Sequence, residues 1–277
     1  MGFRINTNIQ SLAAQRALGI VRKQQDKSLQ KLSSGSRIIR AGDDAAGLAI
    51  SEKLKASIRG TRQATKNAND GVSMIQTAEG GLNEASNILI RLRELSVQSA
   101  SDTIGDVERS FSDLEFQSLK QELERISKNT KFNGRTLLDG EGEDIEVQIG
   151  IHNNPMLDRL KYSPSSTNAT IDALDIGETT VNNKESSQEN LSVLDEAINR
   201  INSNRAVLGA LQNRLESSIN NLEIKTENLS AANSRIRDTD IAAEASELTR
   251  NNIITNSATS VLSQANSAPT LALKLIS

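Results

Sequence analysis

The residues able to do chemistry in this 277-residue chain are few, and their spacing suits little of it. Cysteine is absent, which removes disulfides, thiolate nucleophiles and thiolate metal sites. The one histidine, His152, stands beside a turn in His152-Asn153-Asn154-Pro155 with no carboxylate at ligand spacing, so it reads as a loop residue. Asp43 and Asp44 could be imagined as an acid–base pair, but adjacent side chains at a helix start diverge, and capping is their ordinary use. The chain has no G-x-S-x-G, no phosphate-cradling glycine loop and no H-E-x-x-H. Asn190-Leu-Ser and Asn228-Leu-Ser match glycosylation acceptors by letter, yet both fall on a predicted helix seam. The expectation is a non-enzymatic chain without metal or cofactor.

Composition points the same way. Only 2% of residues are aromatic and mean hydropathy is −0.43, which fits extended helices packed side by side better than a compact catalytic core. The 32 basic and 35 acidic residues leave a net charge of −3 and form no basic stripe, so nucleic acid is not an expected partner. No apolar run reaches the ~18 residues of a membrane span. The start "MGFRINTNIQ" lacks the apolar core of a secretory leader, so any export is expected to proceed without a cleaved signal.

The elements that position these residues are set by breakers. The first 154 residues contain no proline, and between Pro164 and Pro269 glycine occurs only at Gly177 and Gly209. From Leu191 to Ile236 alternating steps of three and four pick out fourteen positions, ten of them apolar, a long coiled-coil-like seam. Ser186 with Glu189 forms a capping box that would start it. Asp44 to about Ala100 carries two adjacent stripes, Val72, Ile75, Leu82 and Leu89 beside Met74, Ala78, Ala85, Ile88, Leu92 and Leu95, so this helix packs against at least two partners. A third helix is expected from about Asp106 to Ser127, with Phe116, Leu119, Leu123 and Ile126 on one face. "DIEVQIGI" alternates as a strand, and the only β structure is expected between about 140 and 180.

Residues 1–42 and 238–277 are expected to form a terminal-helix domain, and residues 43–237 the long-helix bundle with its β insert. The terminal helices have thin stripes, Ile9, Leu12, Leu18 and Val21 on one and Ile254, Ala258, Val261, Leu262 and Ala265 on the other, too little to be stable alone. They should pair with one another and order when many copies pack together. The stretch "SSGSRIIRAGDDAAGLAIS", residues 33–51, then reads as the connector between two helical layers. Gly35 and Gly42 would supply its turn, Asp43 or Asp44 the cap of the next helix, and Arg37 and Arg40 partners for acids of a neighbouring chain.

Long blocks here resemble bacterial flagellin. "FRINTNIQSLAAQRAL", "LSSGSRIIRAGDDAAGLAISEKL", "ANDGVSMIQTAEGGLNEASNILIRLRELSVQSA" and "FNGRTLLDG" resemble its N-terminal half. "LGALQNRLESSINNL", "NLSAANSRIRDTDIAAEASELTRNNI" and "SVLSQAN" resemble its C-terminal half. Larger members insert outer domains where this chain has only "ETTVNNKESS", so the likeness is to a minimal form. The resemblance implies a mainly α subunit with its termini paired as an inner layer. It also implies self-polymerisation into an extracellular motility filament after type III export, and as partners other flagellins, an export chaperone and a cap protein. Arg91, Leu95 and Glu115 match the family segment recognised by a vertebrate Toll-like receptor, although Ile90 replaces a commoner glutamine; the same residues could be contacts between copies. Two rivals are a hook–filament junction protein and a coiled-coil scaffold rod. The rod would require uniform heptads and no β insert.

Overall fold

The structure, a computed structural model, describes residues 7–274, with side chains described as far as residue 267. Its helices are α1 (Ile9–Ser34), α2 (Ala45–Ser99), α3 (Asp106–Asn129), α4 (Lys184–Arg237) and α5 (Ile241–Lys274). Between α3 and α4 lie β1 (Lys131–Phe132), β2 (Arg135–Thr136), β3 (Ile145–Gln148), β4 (Arg159–Tyr162) and a 3-10 turn at Pro164–Thr167. β1 pairs antiparallel with β2, and β3 with β4, Ile145 lying opposite Tyr162 and Gln148 opposite Arg159. The chain is therefore the mainly α, long-helix bundle with a small β part that its breakers and periodicity imply. One expectation fails: β1 and β2 lie before residue 140. Their turn is Asn133-Gly134, both at positive φ (50° and 80°), the conformation an Asn-Gly hairpin adopts most readily.

Two compact units are distinguished, one of Ile58–Glu227 and one of the described residues up to Ser57 with those from Asn228. Both divisions fall inside helices, because a helix continues where its packing partners change.

In the Ile58–Glu227 unit the buried positions of α2 recur at steps of three and four: Ile58, Thr61, Ala64, Ala68, Gly71, Ile75, Ala78, Leu82, Ala85, Leu89, Leu92, Ser96 and Ser99. That row is a heptad seam kept for the whole length of the helix. Both expected stripes are present, with Met74 and Leu95 buried and Val72 and Ile88 half-buried at the flank. α4 runs antiparallel to α2, Leu215 lying against Gly71, Arg205 reaching Glu79 at 3.9 Å and Arg93 Nε donating to Asp195 Oδ1 at 2.6 Å. Its Leu194, Ile201, Leu208 and Leu215 are buried at every seventh residue, while Leu191, Ile198, Arg205 and Ile219 on the companion row are half-buried. The seam thus stands. Its expected capping box does not: α4 begins at Lys184, with the Ser187 N–H bonded to Asn183 O at 3.0 Å, and Ser186 lies inside the helix.

α3 packs on a row one step away from the expected one. Phe116, Lys120, Leu123 and Ser127 are buried, and Leu119 and Ile126 are half-buried. A lysine is tolerated there because its Nζ donates to the carbonyls of Gly177 (2.8 Å) and Thr179 (3.0 Å) and lies 5.9 Å from the Phe116 ring centroid. Burial pushes this ammonium below the ordinary lysine value. The segment that supplies those carbonyls, expected as short strands or turns, is a series of turns that inserts Ala169, Leu174, Ile176 and Val181 into the core. Tyr162 closes the floor, its hydroxyl donating to Leu137 O and sharing a 2.7 Å bond with Thr167.

Leu208→Ala should lower the unfolding free energy by about 2–5 kcal/mol, whereas neighbouring, exposed Val207→Ala should change it by no more than about 0.5 kcal/mol; urea titration followed by circular dichroism checks both. Burial raises the Tyr162 hydroxyl above the ordinary 10.0. Folding therefore holds that proton on, and the contribution is intact below the unfolded value and lost as pH climbs through the folded one. With one Tyr and no Trp in the chain, phenolate absorbance should rise late and together with loss of helicity, and an early rise without unfolding would contradict the buried placement.

Candidate interaction surfaces

The first surface is built on the terminal helices. α1 and α5 pack antiparallel. Asn8 caps α1 by accepting from Ser11 N at 3.0 Å, and its amide donates to Ala265 O at 2.7 Å. Ser11 Oγ donates to Asn266 Oδ1 at 2.6 Å, Gln25 Nε2 to Asn252 Oδ1 at 2.7 Å, and Lys31 meets Glu244 at 3.2 Å. The least exposed positions of α5, namely Glu244, Leu248, Asn251, Thr255, Ala258, Leu262 and Ala265, again step by four and three. Facing them on α1 are Ser11, Ala14, Leu18, Val21, Gln25 and Ser28.

This seam is small and polar, and Asn251, only 2% exposed, has an amide nitrogen with no partner. Polar residues on such a seam fix register at a cost in stability. Of the residues expected to join the two helices, Leu18, Val21, Ala258, Leu262 and Ala265 do so. Ile9, Leu12, Ile254 and Val261 do not: they are exposed, together with Ile20, Leu29, Ile241 and Ile253. The sequence stripe was continuous in hydropathy but serves two faces, one turned to the partner helix and one turned away. Exposed apolar side chains in this number mark a contact surface. The expected α1 pattern also covers residues 1–6, which lie outside the described residues.

The second feature is the clasp that joins these helices to their neighbours in the same unit. Gly35 closes α1 in the left-handed conformation (φ 65°), and its carbonyl accepts from Thr239 N at 3.0 Å. Ser36 forms an antiparallel bridge with Asp238. Arg37, expected to reach a neighbouring chain, is used within its own: its backbone N–H donates to Arg237 O at 2.7 Å and its guanidinium to Ile236 O at 2.7 Å, satisfying carbonyls at the end of α4. Ile38 is 2% exposed and anchors the crossing.

Asp44, not Asp43, caps α2, accepting from Gly47 N at 2.8 Å. Asp43 clasps the turn instead, accepting from Arg40 N (3.1 Å) and Ile39 N and pairing with Lys27 at 3.3 Å, which holds its carboxyl below the ordinary value. Gly42 does not take the left-handed conformation. Arg40 makes one long contact, to Gln30 at 3.5 Å, and is otherwise turned to solvent. Asp240, unremarked in the sequence, caps α5 by accepting from Ala242 and Ala243 N–H groups at 2.9 and 3.1 Å; the acidic "RDTD" just before a helix was the available signal. Gly47 was also missed. A Cβ there would fall 2.8 Å from Ile38 Cδ1 and closer still to Asp44, so glycine is needed for the approach.

The third surface lies on α2 and α3 within the other unit. Arg91 donates from Nε to Glu115 Oε1 and from Nη1 to Glu94 Oε2, both at 2.9 Å. Exposed Ile90, Val97, Phe111 and Leu114 stand on the same two helices, giving a patch of mixed apolar and ionic character. Leu95 is not part of it. It is buried in the core, so its side chain offers nothing to a partner. Among the described residues no group of His, Asp and Glu is placed to hold a metal ion, and no helix is long and apolar enough to cross a membrane.

Two family descriptions match. Residues 5–143 match the bacterial flagellin N-terminal helical region, and residues 191–276 the C-terminal helical region. Residues 144–190 between them hold a single hairpin, turns and the start of α4, so this is a short form without outer domains. A flagellin of Halalkalibacterium halodurans is 44% identical over 98% of this chain and 99% of its own length. The flagellar filament 33 kDa core protein of Treponema phagedenis is 41% identical over 98% of this chain and 99% of its own. Among solved structures, the crystal structure of Bacillus cereus flagellin superposes with a TM-score of 0.51 at 30% identity, covering 61% of this chain and 94% of that one. With full-length likeness and a fold of paired terminal helices and a long-helix bundle, the chain belongs to the bacterial flagellin family.

Proposed function

We propose that the chain is a non-enzymatic structural subunit that polymerises into a flagellar filament for motility, and that residues 1–42 with 238–277 are its polymerisation segment. The observation that carries this is the outward row of α1 and α5. Ile9, Leu12, Ile20, Leu29, Ile253, Ile254 and Val261 are exposed among the described residues, while the seam between the helices is too polar to stabilise them strongly. Covering that row with further copies returns roughly 25 cal/mol for each Å² of apolar surface removed from water. Because the exposed apolar residues differ between α1 and α5, a copy would meet unlike surfaces of its neighbours, contacts that extend into an open helix instead of closing. In this reading the subunit is exported with the help of an export chaperone and a cap protein, and works outside the cell. Arg40, which pairs with no acid among the described residues, is available to an acid of the next copy.

Seeded growth of purified subunits tests the reading. The pair Leu12→Asp and Val261→Asp should leave monomer helicity near the parent's and abolish elongation, and fibres of normal diameter from that variant in electron micrographs would refute it. We further propose that the Arg91–Glu115 patch is covered by a neighbouring copy in the filament and is open to a host innate receptor in the free monomer. Arg91→Ala should slow elongation and lower receptor binding by about tenfold, as for a contact of ~1.4 kcal/mol, and unchanged values for both would remove the patch from either role.

A further inference from the structure

Interior glycines of a helix raise the cost of ordering its backbone, so each asks for a reason. Several in the Ile58–Glu227 unit have one. A Cβ on Gly71 would sit 3.3 Å from Leu215 and Val147, one on Gly60 3.0 Å from Ile151, and one on Gly81 2.7 Å from both Leu138 and Thr130. Gly80 and Gly209 have none: no atom lies within 4 Å of the position a Cβ would take. Both stand inside uninterrupted helices, α2 and α4.

Their heights coincide. Leu215 lies beside Gly71, and Arg205 reaches Glu79, so in this antiparallel pair Gly209 falls near residue 76 of α2, within about one helical turn of Gly80. The ion pair at that height is long, 3.9 Å. The third helix stops there as well. α3 ends at Asn129, and Thr130 lies against Gly81, whereas Arg91 further along α2 still faces Glu115 of α3. On one side of this height the unit is three helices thick; on the other, α2 and α4 continue with short hairpins in place of the third helix, Val147 beside Gly71, Ile151 beside Gly60, and Phe132 and Asn133 near Asn67 to Met74.

We propose that Gly80 and Gly209 form a flexure built into the unit, a height at which both through-running helices are softened where the third one ends. Backbone hydrogen bonds around residues 76–84 and 205–213 open more readily than those of the flanking turns, and the three-helix section bends against the two-helix section there. The mechanical consequence, a filament that yields in bending, rests on the proposed function; the local opening does not.

Hydrogen exchange of monomers and thermal-fluctuation imaging of filaments test the two parts with Gly80→Ala, Gly209→Ala, the double variant, and Asn199→Ala as an exposed control for helix propensity elsewhere on α4. In the parent, exchange in the two segments should exceed that of the flanking turns, and each alanine should slow it locally by about two- to fivefold. The double variant's filaments should show a longer bending persistence length, with Asn199→Ala matching the parent. Parental exchange no faster at this height than beside it, or unmoved by the alanines, overturns the flexure. Slowed exchange with unchanged filament bending overturns its mechanical role. A parent chain that forms no filaments sinks the proposed function and leaves the flexure to be judged by exchange alone.

Discussion

Everything in the terminal unit depends on what meets between α1 and α5: serines, alanines, a glutamine, an asparagine and few large apolar side chains. A helix pair joined this way gains register from its polar contacts and little burial energy, so it is well defined in geometry and modest in strength. The larger apolar residues are left outside. Had they been turned inward, the pair would be self-sufficient and would present a polar exterior with no reason to associate. The division of a thin apolar supply between an inner and an outer face therefore couples the shape of the ends to the presence of neighbours.

The longer helices answer the same demand differently. α2 and α4 satisfy their apolar rows within the chain, through alternating steps of three and four that keep one line of side chains facing inward over many turns. Where the row is filled by Ala64, Ala68 and Gly71, the seam is made of small residues; where it is filled by Leu82, Leu89 and Leu92, space is taken by side chains and by α3 and the loops that follow it. Aromatic residues are hardly needed for such a core, and Phe116 is the one fully buried phenylalanine among the described residues.

Legibility followed side-chain size. The seam of α4 could be read because leucines and isoleucines occupy it, and the later half of α2 for the same reason. The row from Thr61 to Gly71 could not, since Thr, Ala and Gly together carry only a weak hydropathy signal although they sit on the same seam. The burial of Lys120 was not legible, because the loop carbonyls of Gly177 and Thr179 that make it tolerable lie some sixty residues away in sequence. The hairpin at Asn133-Gly134 was within reach, as Asn-Gly is a strong turn signal, but its strands are too short to alternate. At the candidate surfaces, residue types marked the right helices and missed the direction each side chain faces: Ile9 and Leu12 point away from α5, Arg37 caps its own chain, and Leu95 is core. Direction is a property of the partner, and a single sequence does not name the partner.

The bridge of Ser36 with Asp238, with Thr239 bonded to Gly35 and Arg37 to the end of α4, ties the chain together just where α1 ends and α5 begins. Tension entering along α1 can pass to α5 through these few bonds without travelling the intervening two hundred residues. The clasp is in that sense a load path: a pull on the ends shears a short backbone crossing and spares the long helices, which form a closed excursion off the line of force.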